Sequence, residues 1–161
     1  MFPDDLLSGD RIRLASAASS KKRALEEVAE LFATSVPELT PEKAREKVFN
    51  KLLERERLGS TGLGQGIALP HARIKGISEA RGALLRLTSG IDFDAIDGQP
   101  VDLVFALLVP EQATDQHLQL LAMLAARFSD PQQYRQIRDA TDSDAVIRAF
   151  QQQNGNLAAS A

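Results

Sequence analysis

The sequence predicts a single-domain α/β fold with a sheet sandwiched between helical layers. Three observations carry this: helical apolar periodicity over residues 19–58, two strand-like apolar runs at 82–88 and 101–109, and a return to helical periodicity at 114–150. A chain of 161 residues has room for one domain and little more. A domain of this size buries roughly 70% of the surface its unfolded chain exposes, so it needs no covalent staples. The 43% hydrophobic content supplies that core.

Residues 1–18 show no sustained periodicity and read as an N-terminal arm, either irregular or a short edge strand. The folded domain spans 19–150. Ser19 or Ser20 caps a helix running to about Thr34, with Leu25, Val28, Leu31 and Phe32 on one face. Thr40-Pro41-Glu42 is a second start, with Thr as N-cap, Pro at the first helical position and an acid at the positive end. That helix turns Ala44, Val48, Leu52 and Leu53 to one side and stops near Gly59. Residues 59–66 then carry four glycines in eight positions, a backbone that turns tightly or is closely approached. The strand at 101–109 is almost wholly apolar, as expected of a central strand covered on both faces, and a loop at 90–100 joins it to the strand at 82–88. Thr114 or Asp115 opens a helix to about Phe128, with Leu118, Leu121, Leu124, Ala125 and Phe128 inward. Asp130-Pro131 restarts a short helix, and a last one near 142–150 buries Val146, Ile147 and Phe150. The polar, small-residue segment 151–161 reads as a disordered tail.

Composition excludes several classes of function. There is no cysteine, hence no disulfide, thiolate zinc site or thiol nucleophile. The net charge of -3, from 19 basic and 22 acidic residues, argues against nucleic-acid binding, which rests on phosphate neutralisation. Lys21-Lys22-Arg23 read as solvated charges at a helix start. No apolar run approaches the ~20 residues of a membrane span, and the acidic start lacks a signal peptide's basic region, so the expected location is the cytoplasm. The glycines match neither a nucleotide P-loop nor a dinucleotide fingerprint. Ser60 has no hydrolase-elbow setting, and two histidines without cysteine or H-E-x-x-H argue against zinc. Asp92, Asp94 and Asp97 read as turn formers around Gly98 rather than an acid/base pair.

Two histidines remain. His71 follows Pro70 at the end of the glycine-rich segment, where a constrained turn presents its ring and small neighbours let a bulky partner reach it. His117 falls in a helix's first turn, where the macrodipole disfavours a cation and keeps the ring neutral. On the residues alone, a structural His71 and a solvated surface His117 stay open.

The stretch Arg55-Glu56-Arg57-Leu58-Gly59-Ser60-Thr61-Gly62-Leu63-Gly64-Gln65-Gly66-Ile67-Ala68-Leu69-Pro70-His71 resembles the phosphorylation-site signature of the mannitol/fructose-type enzyme IIA proteins of the phosphoenolpyruvate-dependent phosphotransferase system. The run from Phe93 to Pro110 is similar to the nitrogen-regulatory branch, and the resemblance covers about residues 20–150. It implies a mixed β-sheet flanked by helices on both faces. It also implies His71 as phosphoacceptor, favouring its ε2 nitrogen, His117 as a second active-site histidine, and Arg55 as the arginine of the phosphoryl pocket. Ala72-Arg73 stands where many relatives have Gly-Lys.

Those roles suit phosphoryl transfer, whose loose in-line transition state needs positioning and charge stabilisation more than covalent help. A neutral imidazole attacks directly, a planar guanidinium fork holds the equatorial oxygens, and a neutral histidine at a helix N-terminus adds a donor. The implied donor is an HPr-like carrier and the implied readers are regulatory protein targets; the scheme requires no cofactor or metal. A sugar-specific IIA feeding a permease IIB domain, and a binding module without phosphoryl chemistry, are the competing functions.

Overall fold

The computed structural model of the chain describes residues 3, 5–39, 44–112 and 114–160, with backbone only at 114 and 152–160. The expected cap at Thr40-Pro41-Glu42 lies outside the described residues. Among the described residues six strands form one mixed sheet: β1 (Ile12–Ser16), β2 (Gly62–Gly64), β3 (Ile67–Ala68), β4 (His71–Ile74), β5 (Arg81–Ile91) and β6 (Val101–Pro110). Helices α1 (Lys21–Ser35) and α2 (Ala44–Leu58) precede the glycine-rich segment, and α3 (Thr114–Ser129), α4 (Pro131–Asp139) and α5 (Ser143–Ser160) follow the sheet.

The apolar run at 101–109 is the organising strand. β6 pairs antiparallel with β5 along one edge; its other edge takes β3 and then β4, both parallel. Pro70, which has no N–H to give the ladder, separates those two short strands, and its carbonyl accepts the Leu107 N–H at 2.9 Å. Along β6 the pleat sends Val104, Ala106 and Leu108 into one core and Phe105, Leu107 and Val109 into the other. The first core is covered by α1 and α2 through Leu25, Val28, Phe32, Val48 and Leu52; the second by α3, α4 and α5 through Leu124, Phe128, Ile137, Val146 and Phe150. Helices on both faces of a mixed sheet are thus what residues buried on both sides of β6 demand.

Ser20 is the N-cap of α1, accepting from the Arg23 N–H at 3.2 Å, and Asp130 caps α4 with Pro131 behind it. The arm resolves in favour of the strand: Ile12–Ser16 pairs parallel with β5, and the buried Leu6 and Leu7 join the second core. Leu118 is a correction. It is 65% exposed, while His117, Leu120, Leu124 and Phe128 form the buried stripe. A histidine within that stripe concealed it from a count of apolar residues. Lys21 is a second correction, since its ammonium sits 3.2 Å from Glu56 and 3.0 Å from Asp94 rather than in solvent. The last helix, expected to end near Phe150, continues as backbone to Ser160; polar composition removes the reason to bury a segment, not its ability to make helical hydrogen bonds. Ala161 lies outside the described residues.

Candidate functional site

Arg55, His71 and His117 come from three elements and meet at one place. The buried stripe Val48–Leu52 seats α2 on the core, which carries Arg55 in its last turn to the sheet edge. His71 is the first residue of β4, opposite Leu107 of β6. His117 lies in the first turn of α3, with only 7% of its surface exposed. The two imidazoles stand edge to face, with centroids 5.4 Å apart and planes at 65°. The alternative of a solvated surface His117 therefore fails.

Hydrogen bonds determine which nitrogen of His71 is free. Its Nδ1 is 3.0 Å from the Leu69 carbonyl, which only accepts, so Nδ1 carries the proton. Nε2 accepts from the Arg55 Nε–H at 3.2 Å and is the basic nitrogen. Arg55 also donates from Nη1 to the Gly59 carbonyl at 2.9 Å. Burial lowers the His71 pKa below the ordinary 6.5, with the Leu69 carbonyl opposing, the Arg55 charge adding to the lowering, and Glu56 opposing again. His117 is lowered too, first by burial, then by His71, Arg73 and Arg55. Its Nδ1 is buried and has no hydrogen-bond partner among the described residues. Both shifts favour the neutral ring at pH 7. In an imidazole NMR titration both midpoints should fall below 6.5. A midpoint at or above that value for either ring would contradict the burial that sets it.

The glycines before His71 turn tightly and are closely approached, as expected, but what approaches them is the protein itself. Gly64, Gln65 and Gly66 all have positive φ, forming the tight reversal between β2 and β3. A Cβ on Gly62 would stand 2.9 Å from the Ala95 backbone, and one on Gly66 2.4 Å from the Arg138 guanidinium. Those spaces are filled by the 92–98 loop and by α4, so they serve close packing rather than entry of a partner. Two of the three aspartates bond to loop backbone as turn formers do: Asp92 accepts from the Asp94 N–H, and Asp97 from the N–H groups of Gln65 and Gln99, whereas the Asp94 carboxylate accepts from the Lys21 ammonium. Among the described residues no cluster of three or more His, Asp or Glu could hold a metal ion.

Two residues beside the site were missed. Glu56 is 6% exposed, and Lys21 reaches it from the start of α1. The available signal was spacing: Val48, Leu52 and Glu56 recur every fourth residue, which puts a carboxylate on the buried stripe of α2.

The family profile described as "Phosphoenolpyruvate-dependent sugar phosphotransferase system, EIIA 2" matches residues 5–153. The chain is 41% identical over 145 residues to a nitrogen regulatory protein of Pseudomonas aeruginosa, covering 90% of this chain and 92% of that one. The crystal structure of nitrogen regulatory protein IIA-Ntr from Neisseria meningitidis superposes with a TM-score of 0.82 at 39% identity, covering 91% of this chain and 97% of the other. The mannitol IIA of Escherichia coli superposes with a TM-score of 0.70 over 89% of this chain and 97% of its own. At 21% identity, that last likeness concerns the fold alone.

Proposed function

We propose that this chain, which belongs to the phosphoenolpyruvate-dependent sugar phosphotransferase system EIIA 2 family and within it to the nitrogen-regulatory IIA proteins, carries a phosphoryl group on His71 and signals its phosphorylation state to protein partners. The observation that supports this most is the unprotonated Nε2 of His71, set by the Nδ1–H bond to Leu69 and flanked by Arg55 and His117.

The donor is an HPr-like carrier bearing a phosphohistidine. As it docks, Arg55 gives up Nε2 and turns its fork to the equatorial oxygens of the arriving group. The Nε2 lone pair forms the new N–P bond; the donor's N–P bond breaks and its electron pair returns to the donor imidazole. Nδ1 keeps its proton throughout, donating it in a hydrogen bond to the Leu69 carbonyl. His117, neutral and largely dry, adds a donor to the phosphoryl oxygens, worth more there than in water. Among the described residues no helix is long and apolar enough to cross a membrane, and the reading places the protein in the cytoplasm with its carrier.

Phosphorylation adds about -1.5 to -2 charges at this surface, enough to make or break an interface. Exposed Leu58, Leu63 and Leu118 stand on the segments that carry the site and offer partners apolar contact. The test begins with phosphoenolpyruvate, the first enzyme of the system and the HPr-like carrier, with intact mass as readout. Lysate pull-downs with both phosphorylation states follow. Partner affinity should differ between the states, and His117→Ala should accept phosphate slowly while its unphosphorylated form still binds partners. Equal affinity in both states, with rapid transfer to a sugar-permease IIB domain, would favour the transport function instead.

A further inference from the structure

A buried carboxylate lies next to Arg55 in sequence, and the phosphoryl transfer described above does not use it. The Glu56 side chain is 2% exposed. Its Oε1 accepts the Thr61 N–H at 3.0 Å and its Oε2 the Thr61 hydroxyl at 2.7 Å. Lys21 reaches Oε1 at 3.2 Å, with its ammonium 5.0 Å over the Phe93 ring and 3.0 Å from Asp94. Burial alone would lower the Lys21 pKa, but the hydrogen bonds and charges of Asp94 and Glu56 outweigh it and raise it, so the ammonium is held.

Beyond Thr61 the hydrogen bonds continue. The Thr61 carbonyl accepts the Leu69 N–H at 2.9 Å, and the Leu69 carbonyl accepts Nδ1–H of His71 at 3.0 Å. A short, unbroken path therefore runs from the carboxylate to the atom that sets the tautomer of His71. We infer that Glu56 is a positioning residue for the phosphoacceptor: held by Lys21, it fixes Thr61, and through Thr61 and Leu69 it keeps the proton on Nδ1 and the lone pair on Nε2.

Stability alone does not account for a charge at this point. Buried ion pairs are often replaceable by apolar groups without loss, and the stripe Val48–Leu52 would continue naturally with an apolar residue. What an apolar residue lacks is a pair of acceptors aimed at both donors of Thr61. Those two bonds hold the backbone of a glycine-rich segment that has little side-chain packing of its own. Outer partners that orient a metal-ligating histidine commonly cost about 10–100-fold when removed, and a loss of that order is expected here, where the same kind of bond fixes the ring of His71.

The inference rests on His71 as acceptor, so the readouts are chosen to separate the two. Wild-type protein that gains no phosphoryl group at His71 would sink the acceptor assignment. The imidazole tautomer of unphosphorylated protein, read by 15N NMR, tests Glu56 independently. Wild type should show the Nδ1–H form, and Glu56→Ala a mixture of tautomers. With phosphorylated carrier, Glu56→Ala should lose about 10–100-fold in the maximal transfer rate at an unchanged KM for carrier. Glu56→Gln, which retains one acceptor, should recover part of that loss. Wild-type rate and an unshifted tautomer in Glu56→Ala would overturn the inference. If Glu56→Ala does not fold, Thr61→Val removes the hydroxyl bond alone; a several-fold slower transfer with tautomer mixing supports the path, and no change in either refutes it.

Discussion

His71→Ala should gain no phosphoryl group from the phosphorylated carrier, while wild type gains one, in a product labile to acid and stable to base. The expected loss is complete because no other side chain of the site offers an accessible unprotonated nitrogen. Arg55 is a permanent cation. His117 is only 7% exposed, so its ring offers a docking carrier little access. Folding should survive, since His71 is only half-buried and its ring bonds to one carbonyl and one guanidinium. Circular dichroism and thermal unfolding near the wild-type temperature would establish that the loss is chemical. A phosphoryl mass on His71→Ala would show that the acceptor lies elsewhere.

Arg55→Gln should transfer on the order of 10- to 1,000-fold more slowly, with a melting temperature close to that of wild type. Two effects oppose each other. Arg55 covers the Nε2 lone pair, so removing it frees the nucleophile; a hydrogen bond of this partly exposed kind is worth about 0.5–1.5 kcal/mol, or several-fold in rate. Against that stands the loss of a charge-assisted fork on the transferring group, where even one neutral oxyanion-hole donor is worth about 2.7–4 kcal/mol. The second is larger, and the net effect is a slower enzyme. The fold depends little on Arg55, whose other bond goes to the exposed carbonyl of Gly59. Removing its charge should also raise the His71 pKa. Unchanged or faster transfer would mean that Arg55 merely shields Nε2.

Much of the architecture was legible in the chain. The caps at Ser20 and Asp130, the stripe on α1 and the apolar run of β6 are local signals, and each appears where expected. The short strands β2, β3 and β4 were not legible, because strands of two to four residues exist only where a neighbour offers an edge: β6 for β3 and β4, and β3 in turn for β2. Leu118 and Lys21 were misplaced for a related reason. A histidine in the buried stripe and an acid reaching up from another helix changed the surroundings that composition alone assigns.

The sequence by itself located the helices and the two long strands, because periodicity and capping are properties of near neighbours, while the expectation that Arg55, His71 and His117 act together came from the resemblance of residues 55–71 and 93–110 to the enzyme IIA family. Only the tertiary structure decided which atoms meet. That Arg55 rests on Nε2, that Leu69 holds the proton on Nδ1, that His117 is dry and that Glu56 is buried beside them all follow from how α2, β4 and α3 pack around the end of β6. Imidazole basicity and tautomer respond to burial and to contacts within a few ångströms, and such distances between remote segments are set by packing.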